Sequence, residues 1–265
     1  MPGTELLLVP VFALCLPCSS RAQEAKQFVR QAVQSELAAD QADHSHWLYF
    51  ETNRKPDRTV KQWVAETTDG SLRRVTEANG QPIPPPEQRR KMDSFLRDAW
   101  ARLRQRNGEQ HDDQQAAELL RLLPDAFVWA KTGEKENSIV LHFKPDPQFR
   151  PPDLEARVFA AMEGDMMVDK DQHRIVSLKG KLIHDVKIAG GFLGSLNSGG
   201  TFDVERRQLA KSIWQITETH VHIQGHALIF KSISEQEDDQ KTSFKPLSND
   251  VTMQQAEGEL LSQGK

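Results

Sequence analysis

The stretch VKQWVAETTDGSLRRVTEANG, Val60 to Gly80, decides how this chain folds. Val60 to Thr68 and Ser71 to Glu77 read as two strands, and Asp69-Gly70 between them is the dipeptide that supplies positive φ in a tight hairpin turn. Asn79-Gly80 marks a second turn. Strands joined this closely pair antiparallel, because a parallel pair needs a long crossover.

Reading outward toward the N-terminus, Trp47, Tyr49 and Glu51 alternate with Leu48, Phe50 and Thr52. That period of two is another strand, ended by the turn Asn53 to Asp57. Before it, Phe28, Val29, Ala32, Val33 and Leu37 recur at three and four, which predicts a helix over Ala25 to Ala39. Toward the C-terminus, Pro82, Pro84, Pro85 and Pro86 end strand structure, since proline cannot donate to a ladder. A helix over Glu87 to Arg106 follows, with Met92, Phe95, Leu96, Ala99, Trp100 and Leu103 as its apolar stripe, and a second over Asp112 to Leu123 is expected to stop at Pro124.

Strands are then predicted over Ala126 to Thr132, Ser138 to Phe143, Ala156 to Val168, Arg174 to Val186, Gly200 to Leu209, Ile213 to Ile223 and Ala227 to Ile233. Val251 to Leu261 reads as a closing helix. Short turns such as Asp169 to Gln172 join these strands, so the expected fold class is α+β: one large curved antiparallel sheet, an incomplete β-barrel, covered by helices inserted at about 87–123.

The chain has 265 residues, 34 Lys plus Arg against 38 Asp plus Glu, and 37% hydrophobic residues. Five Trp and twelve Phe are enough for a core, which argues against disorder. The acidic balance, with a pI near 6.2, argues against nucleic acid as a partner. Leu6 to Leu16 is apolar and is followed by small and polar residues, the pattern of a secretory signal peptide covering residues 1–22, with cleavage after Ala22. The run is shorter than the roughly 20 residues of a membrane-spanning helix. The expectation is export, to a periplasm or the outside, of a single domain over 23–265. Both cysteines, Cys15 and Cys18, would be lost with the leader.

Glu218, His220, His222 and His226 stand at even positions, and an unbroken strand would put all four on one face, as a metal site needs. Gln224-Gly225 reads as a turn, however, which would carry His226 away and leave His220 and His222 as a bare pair. The glycine-rich run Gly190 to Gly200 lacks the ending of a phosphate loop and the spacing of a nucleophile elbow. It reads as a bent rim carrying Phe192, Leu193 and Leu196. Asp165, Asp169 and Asp171 lack the glycine and glutamate of a calcium loop and read as turn residues. No serine has a matching histidine and carboxylate pattern, and no cofactor is expected.

The segment Glu87 to Arg106 carries seven basic residues against three acidic ones, and with an apolar opposite face it suits an anionic membrane surface. The competing expectation is that Phe95 and Trp100 pack on the sheet and the arginines are merely solvated.

Met162-Glu163-Gly164-Asp165, Asp169, Gly180, Asp185-Val186, Gly199-Gly200-Thr201-Phe202, Trp214 and Gly225, after a leader, a first helix and a helical insert, resemble the LolA-like family of secreted bacterial lipoprotein-sorting carriers. The resemblance covers about Ala25 to Leu247; the longer, strongly charged insert departs from it. It implies an unclosed barrel with an apolar cavity for acyl chains and a carrier rather than an enzyme, its partner a lipid or lipoprotein. Phe50, Trp63, Trp129, Phe159, Leu182, Trp214, Leu228 and Phe230 are the candidates for core or cavity lining. Two alternatives stay open: a metal-dependent hydrolase around His220 and His222, and an envelope-assembly protein that docks through a sheet edge or the basic helix.

Overall fold

Gly70 lies at φ +108°, Asn79 at +51° and Gly80 at +76°, so both dipeptides that mark the meander take up the left-handed backbone their turns require. The computed structural model describes residues 18–188, 194–226 and 235–263. Helix α1 (Cys18–Ala42) leads into β1 (His46–Lys55), β2 (Arg58–Thr67), β3 (Gly70–Ala78) and the two-residue β4 (Gln81–Pro82). Helices α2 (Pro85–Arg97) and α3 (Ala99–Ala126) follow, then β5 (Phe127–Lys135), β6 (Ser138–Pro145), α4 (Leu154–Phe159), β7 (Met162–Asp169) and β8 (Ile175–Leu182). The chain continues through β9 (Val186–Ile188), β10 (Gly194–Leu196), β11 (Thr201–Ala210), β12 (Ile213–Ile223), β13 (Gly225–His226), β14 (Glu235–Leu247) and α5 (Met253–Ser262).

An 11-stranded antiparallel sheet runs in the order β4-β3-β2-β1-β14-β12-β11-β8-β7-β6-β5, and its two ends do not pair with each other. β13, β10 and β9 form a separate small sheet. Register sorts the side chains of the large sheet. Leu141, Met166, Leu178 and Val204 form one row across β6, β7, β8 and β11, and the adjacent row on the opposite face is His142, Asp165, Lys179 and Asp203. The apolar face shares a core with Val29, Ala32 and Val33 of α1 and Leu123 and Ala126 of α3. At the other end of the sheet, Leu48, Ala65 and Leu72 pack with Met92 of α2 and with Met253, Ala256 and Leu260 of α5.

Several elements differ from the sequence expectation. The Glu87 to Arg106 stripe is two helices, because Asp98 leaves helical geometry at φ −90°, ψ 91°, and its side chain accepts a bond from Ala101 N, capping α3. Met92, Phe95 and Leu96 pack inward before that corner, whereas Trp100 after it is 72% exposed. α3 then runs unbroken through Gly108 and through Pro124, which sits in its last turn. The first part of the strand expected over Ala156 to Val168 is α4, whose start is fixed by Asp153 accepting from Ala156 N. The segment expected to form a strand at Ala227 to Ile233 lies outside the described residues, and so does the leader up to residue 17. Among the described residues, no helix is long and apolar enough to cross a membrane.

Two glycines give opposite forecasts. A Cβ on Gly108 would meet nothing within 4 Å, so Gly108→Ala should stabilise the protein by about 0.5–1 kcal/mol through helix propensity. A Cβ on Gly164 would lie 1.9 Å from the Lys179 carbonyl oxygen, so Gly164→Ala should destabilise it by about 1–3 kcal/mol. Urea unfolding of the two variants checks both signs.

Candidate functional site

Between α1, α3 and α4 on one side and β8, β11 and β12 on the other lies a cavity of about 740 Å³. Its walls are mostly carbon. Leu37, Leu120 and Val158 come from the helices, and Leu178, Phe202 and Val204 from the sheet. Gly164 and Gly180 are register partners on this face, and a Cβ on Gly180 would lie 2.6 Å from the Phe202 ring, so the ring packs where that strand carries no side chain.

A carboxylate and its cation, Glu36 and Arg174, are buried at the cavity wall. Glu36 follows Val29, Ala32 and Val33 on the inward face of α1 and is only 5% exposed. Its Oε2 meets Arg174 Nη2 at 2.9 Å and Arg206 Nη1 at 2.5 Å, and its Oε1 accepts from Ile175 N at 2.6 Å. The arginines donate in turn to the carbonyls of Ser212 and Trp214. Burial pushes the Glu36 carboxyl up, but the charge of Arg206 and the hydrogen bonds from both guanidinium groups outweigh it and hold the group below its ordinary value. α1 is thereby tied to β8, β11 and the β11–β12 turn by one carboxylate. Asp40, Asp43, Asp113 and Glu155 also line the cavity. Burial, then the charge of Asp40, raises Asp113.

Beyond β12 the same sheet face turns polar. Asn53 donates to Glu237, and Gln62 to Glu51. Burial pushes Glu66 up to about 7 despite the bond it accepts from Trp47 N, and burial with the charge of Glu51 raises Asp239 to about 6.

The sequence candidates fall in several places. Phe159, Trp214 and Leu196 line the cavity. Trp129 and Leu182 are core, 1% and 0% exposed. The rings of Phe50 and Trp63 meet edge to face at 5.3 Å, and Trp63 packs with the α2–α5 cluster, away from the cavity. Leu228, Phe230, Phe192 and Leu193 lie outside the described residues. His220 Nδ1 and His222 Nε2 both contact Asp238 Oδ1, at 2.6 and 3.0 Å, on the face opposite the cavity. His226 belongs to β13, in the small sheet. Among the described residues, no group of three or more His, Cys, Asp or Glu is disposed to hold a metal ion. Asp169 holds a turn, accepting from Asp171 N and Gln172 N. The residues that sequence reasoning missed are Glu36, Arg174 and Arg206; the available signal was a carboxylate on the apolar stripe of α1.

No protein-family model, curated protein or solved structure matches the chain.

Removing the Glu36 charge leaves the buried Arg174 guanidinium and the partly buried Arg206 guanidinium without their counter-ion, so Glu36→Gln should cost about 3–5 kcal/mol in urea unfolding. Glu66 governs a pH dependence. The native state keeps the Glu66 proton up to about pH 7, whereas the unfolded chain releases it near 4.5, so the native state binds more protons and stability falls as pH rises through that window. Glu66→Gln should flatten this fall relative to the parent; equal slopes in the two proteins would refute the assignment.

Proposed function

We propose that the protein is a non-enzymatic carrier or binding protein that holds the apolar chain of a lipid or lipoprotein in the cavity between the helices and the sheet, and that it works after export, in a periplasm or outside the cell. The observation that carries this reading is the cavity itself. Its volume of about 740 Å³ is in the range of small-molecule sites, roughly 300–1,000 Å³, and its walls are mostly aliphatic and aromatic. The reading takes the unclosed 11-stranded sheet as an incomplete barrel with α1 and α3 across its apolar face, the arrangement implied by the resemblance to lipoprotein-sorting carriers.

The chemistry around the cavity favours binding over turnover. The described lining contains no His or Cys, and its one deeply buried carboxylate is engaged with two arginines. The imidazoles of His220 and His222 face away from it and share Asp238, so the hydrolase alternative gains no support from placement. An apolar ligand needs little more than desolvated carbon surface, worth about 25 cal/mol per Å² buried.

Leu178 and Val204 are adjacent on the cavity floor. A fluorescent fatty acid should bind the parent, and Leu178→Trp, which fills the space, should weaken binding at least about tenfold while the far-ultraviolet circular dichroism is unchanged. Parent protein that ignores the probe, or a folded filled variant that binds it equally well, overturns the proposal.

A further inference from the structure

The corner between α2 and α3 is the place where the fold leaves apolar surface bare. Trp100 is 72% exposed and Leu103 47%, one turn apart at the start of α3, and no other large apolar side chain among the described residues is as exposed as Trp100. Single exposed apolar residues are ordinary. What sets this pair apart is the charge around it. Arg97 ends α2, Arg104 lies one helical turn beyond Trp100, and Arg90 lies two turns back along α2; all three are exposed and have no ion-pair partner among the described residues. Of the nearby acids, Glu87 and Asp69 are matched by Lys91 at 3.0 Å and Arg106 at 3.6 Å, and Asp93 of α2 hydrogen-bonds Glu257 of α5. The Asp98 carboxylate caps α3.

We propose that this corner is a docking surface for anionic lipid bilayers. Trp100 and Leu103 enter the headgroup region, where an amphipathic ring is most stable, and Arg90, Arg97 and Arg104 meet the lipid phosphates. Each basic side chain near such a surface is worth roughly a fivefold gain in binding, so three unpaired ones give on the order of a hundredfold. The sign of α3 reverses further along, at Glu109, Asp112 and Asp113. Glu109, the nearest of them, is about 14 Å from Trp100 along the helix axis and is met by Arg73 at 3.4 Å, and Asp113 is about 20 Å away, more than two screening lengths of roughly 8 Å. The acidic part therefore does not cancel the attraction at the corner; it tilts the molecule so that the corner faces the lipid. An acidic protein would also satisfy the arginines, but a Trp 72% exposed among unpaired cations suits a headgroup layer, where an amphipathic ring beside lipid phosphates is most stable. The surface is independent of the cavity and of what fills it.

Flotation of the full chain with phosphatidylcholine vesicles, with and without phosphatidylglycerol, tests this at low and high salt. The parent should float with the anionic vesicles at low salt, and less so at high salt or on phosphatidylcholine alone. Trp100→Ser with Leu103→Ser should weaken the anionic binding at least about tenfold, and Arg90→Glu with Arg97→Glu and Arg104→Glu should abolish the preference for anionic lipid. Leu178→Trp, which blocks the cavity, should float like the parent. No preference for anionic vesicles, or corner variants that retain the parent's circular dichroism and float equally well through some other segment, would overturn the proposal.

Discussion

The sheet is continuous because of a strand that carries charge on both faces. β14 lies between β1 and β12, so it alone joins the N-terminal meander β4-β3-β2-β1 to the half that runs from β12 to β5. Its alternate residues give Asp238 and Gln240 to one face and Glu237, Asp239 and Lys241 to the other. Burial of carbon reaches only its last residues, where Phe244 packs on Trp47 and Tyr49 and Leu247 joins the α2–α5 cluster, and cannot hold its charged stretch. Its backbone ladder does, and each charged side chain is stabilised by a cross-strand neighbour: Asp238 by His220, Glu237 by Lys55 at 2.9 Å and by Asn53. The hydrogen bond from His220 depresses Asp238, and the same bond raises His220.

The polar face extends this logic across the sheet. His142, Asp165, Lys179, Asp203, His220, Asp238 and Arg54 follow one another in register from β6 to β1, with acid alternating against base at every step. Such a row keeps that stretch of the face in water, while α2 and α5 cover the same face at the Leu48, Ala65 and Leu72 end and the cavity lies on the other face. α3 spans the two halves on that second side: Gln105 donates to the Ser71 carbonyl beside the β2–β3 turn, and Leu123 and Ala126 enter the core with Phe127 and Trp129. The cavity exists where this long helix and α1 stand off from the strands.

Local chemistry made much of this legible. Asp69-Gly70, Asn79-Gly80 and the apolar stripe of α1 act within a few residues, and each reads correctly from the chain alone. β14 does not, because the run EQEDDQKTS has the composition of a loop, and only its neighbours make it a strand. Asp98 is equally opaque: the stripe continues across it in sequence, while its carboxylate ends one helix and starts the next. At the site, Phe159, Trp214 and Leu196 were within reach of a reading by residue type. Trp129 and Leu182 look the same in sequence and are solid core, since the difference between lining and filling depends on distances between elements that no short pattern encodes. Glu36 was hidden for a related reason, its two partners lying far along the chain.

The margins of the sheet carry a consequence for crowding. A sheet that fails to close on itself presents two rows of unpaired peptide groups, an invitation to stack with a neighbour. Here one margin is β4, a strand of two residues ending in Pro82, which offers no N–H. The other is β5, whose outer stretch carries Lys131, Glu134 and Lys135, with Lys131 and Lys170 both clasping Glu134. Brevity guards one border and charge the other, the two devices by which an open sheet discourages a second sheet from adding to its edge.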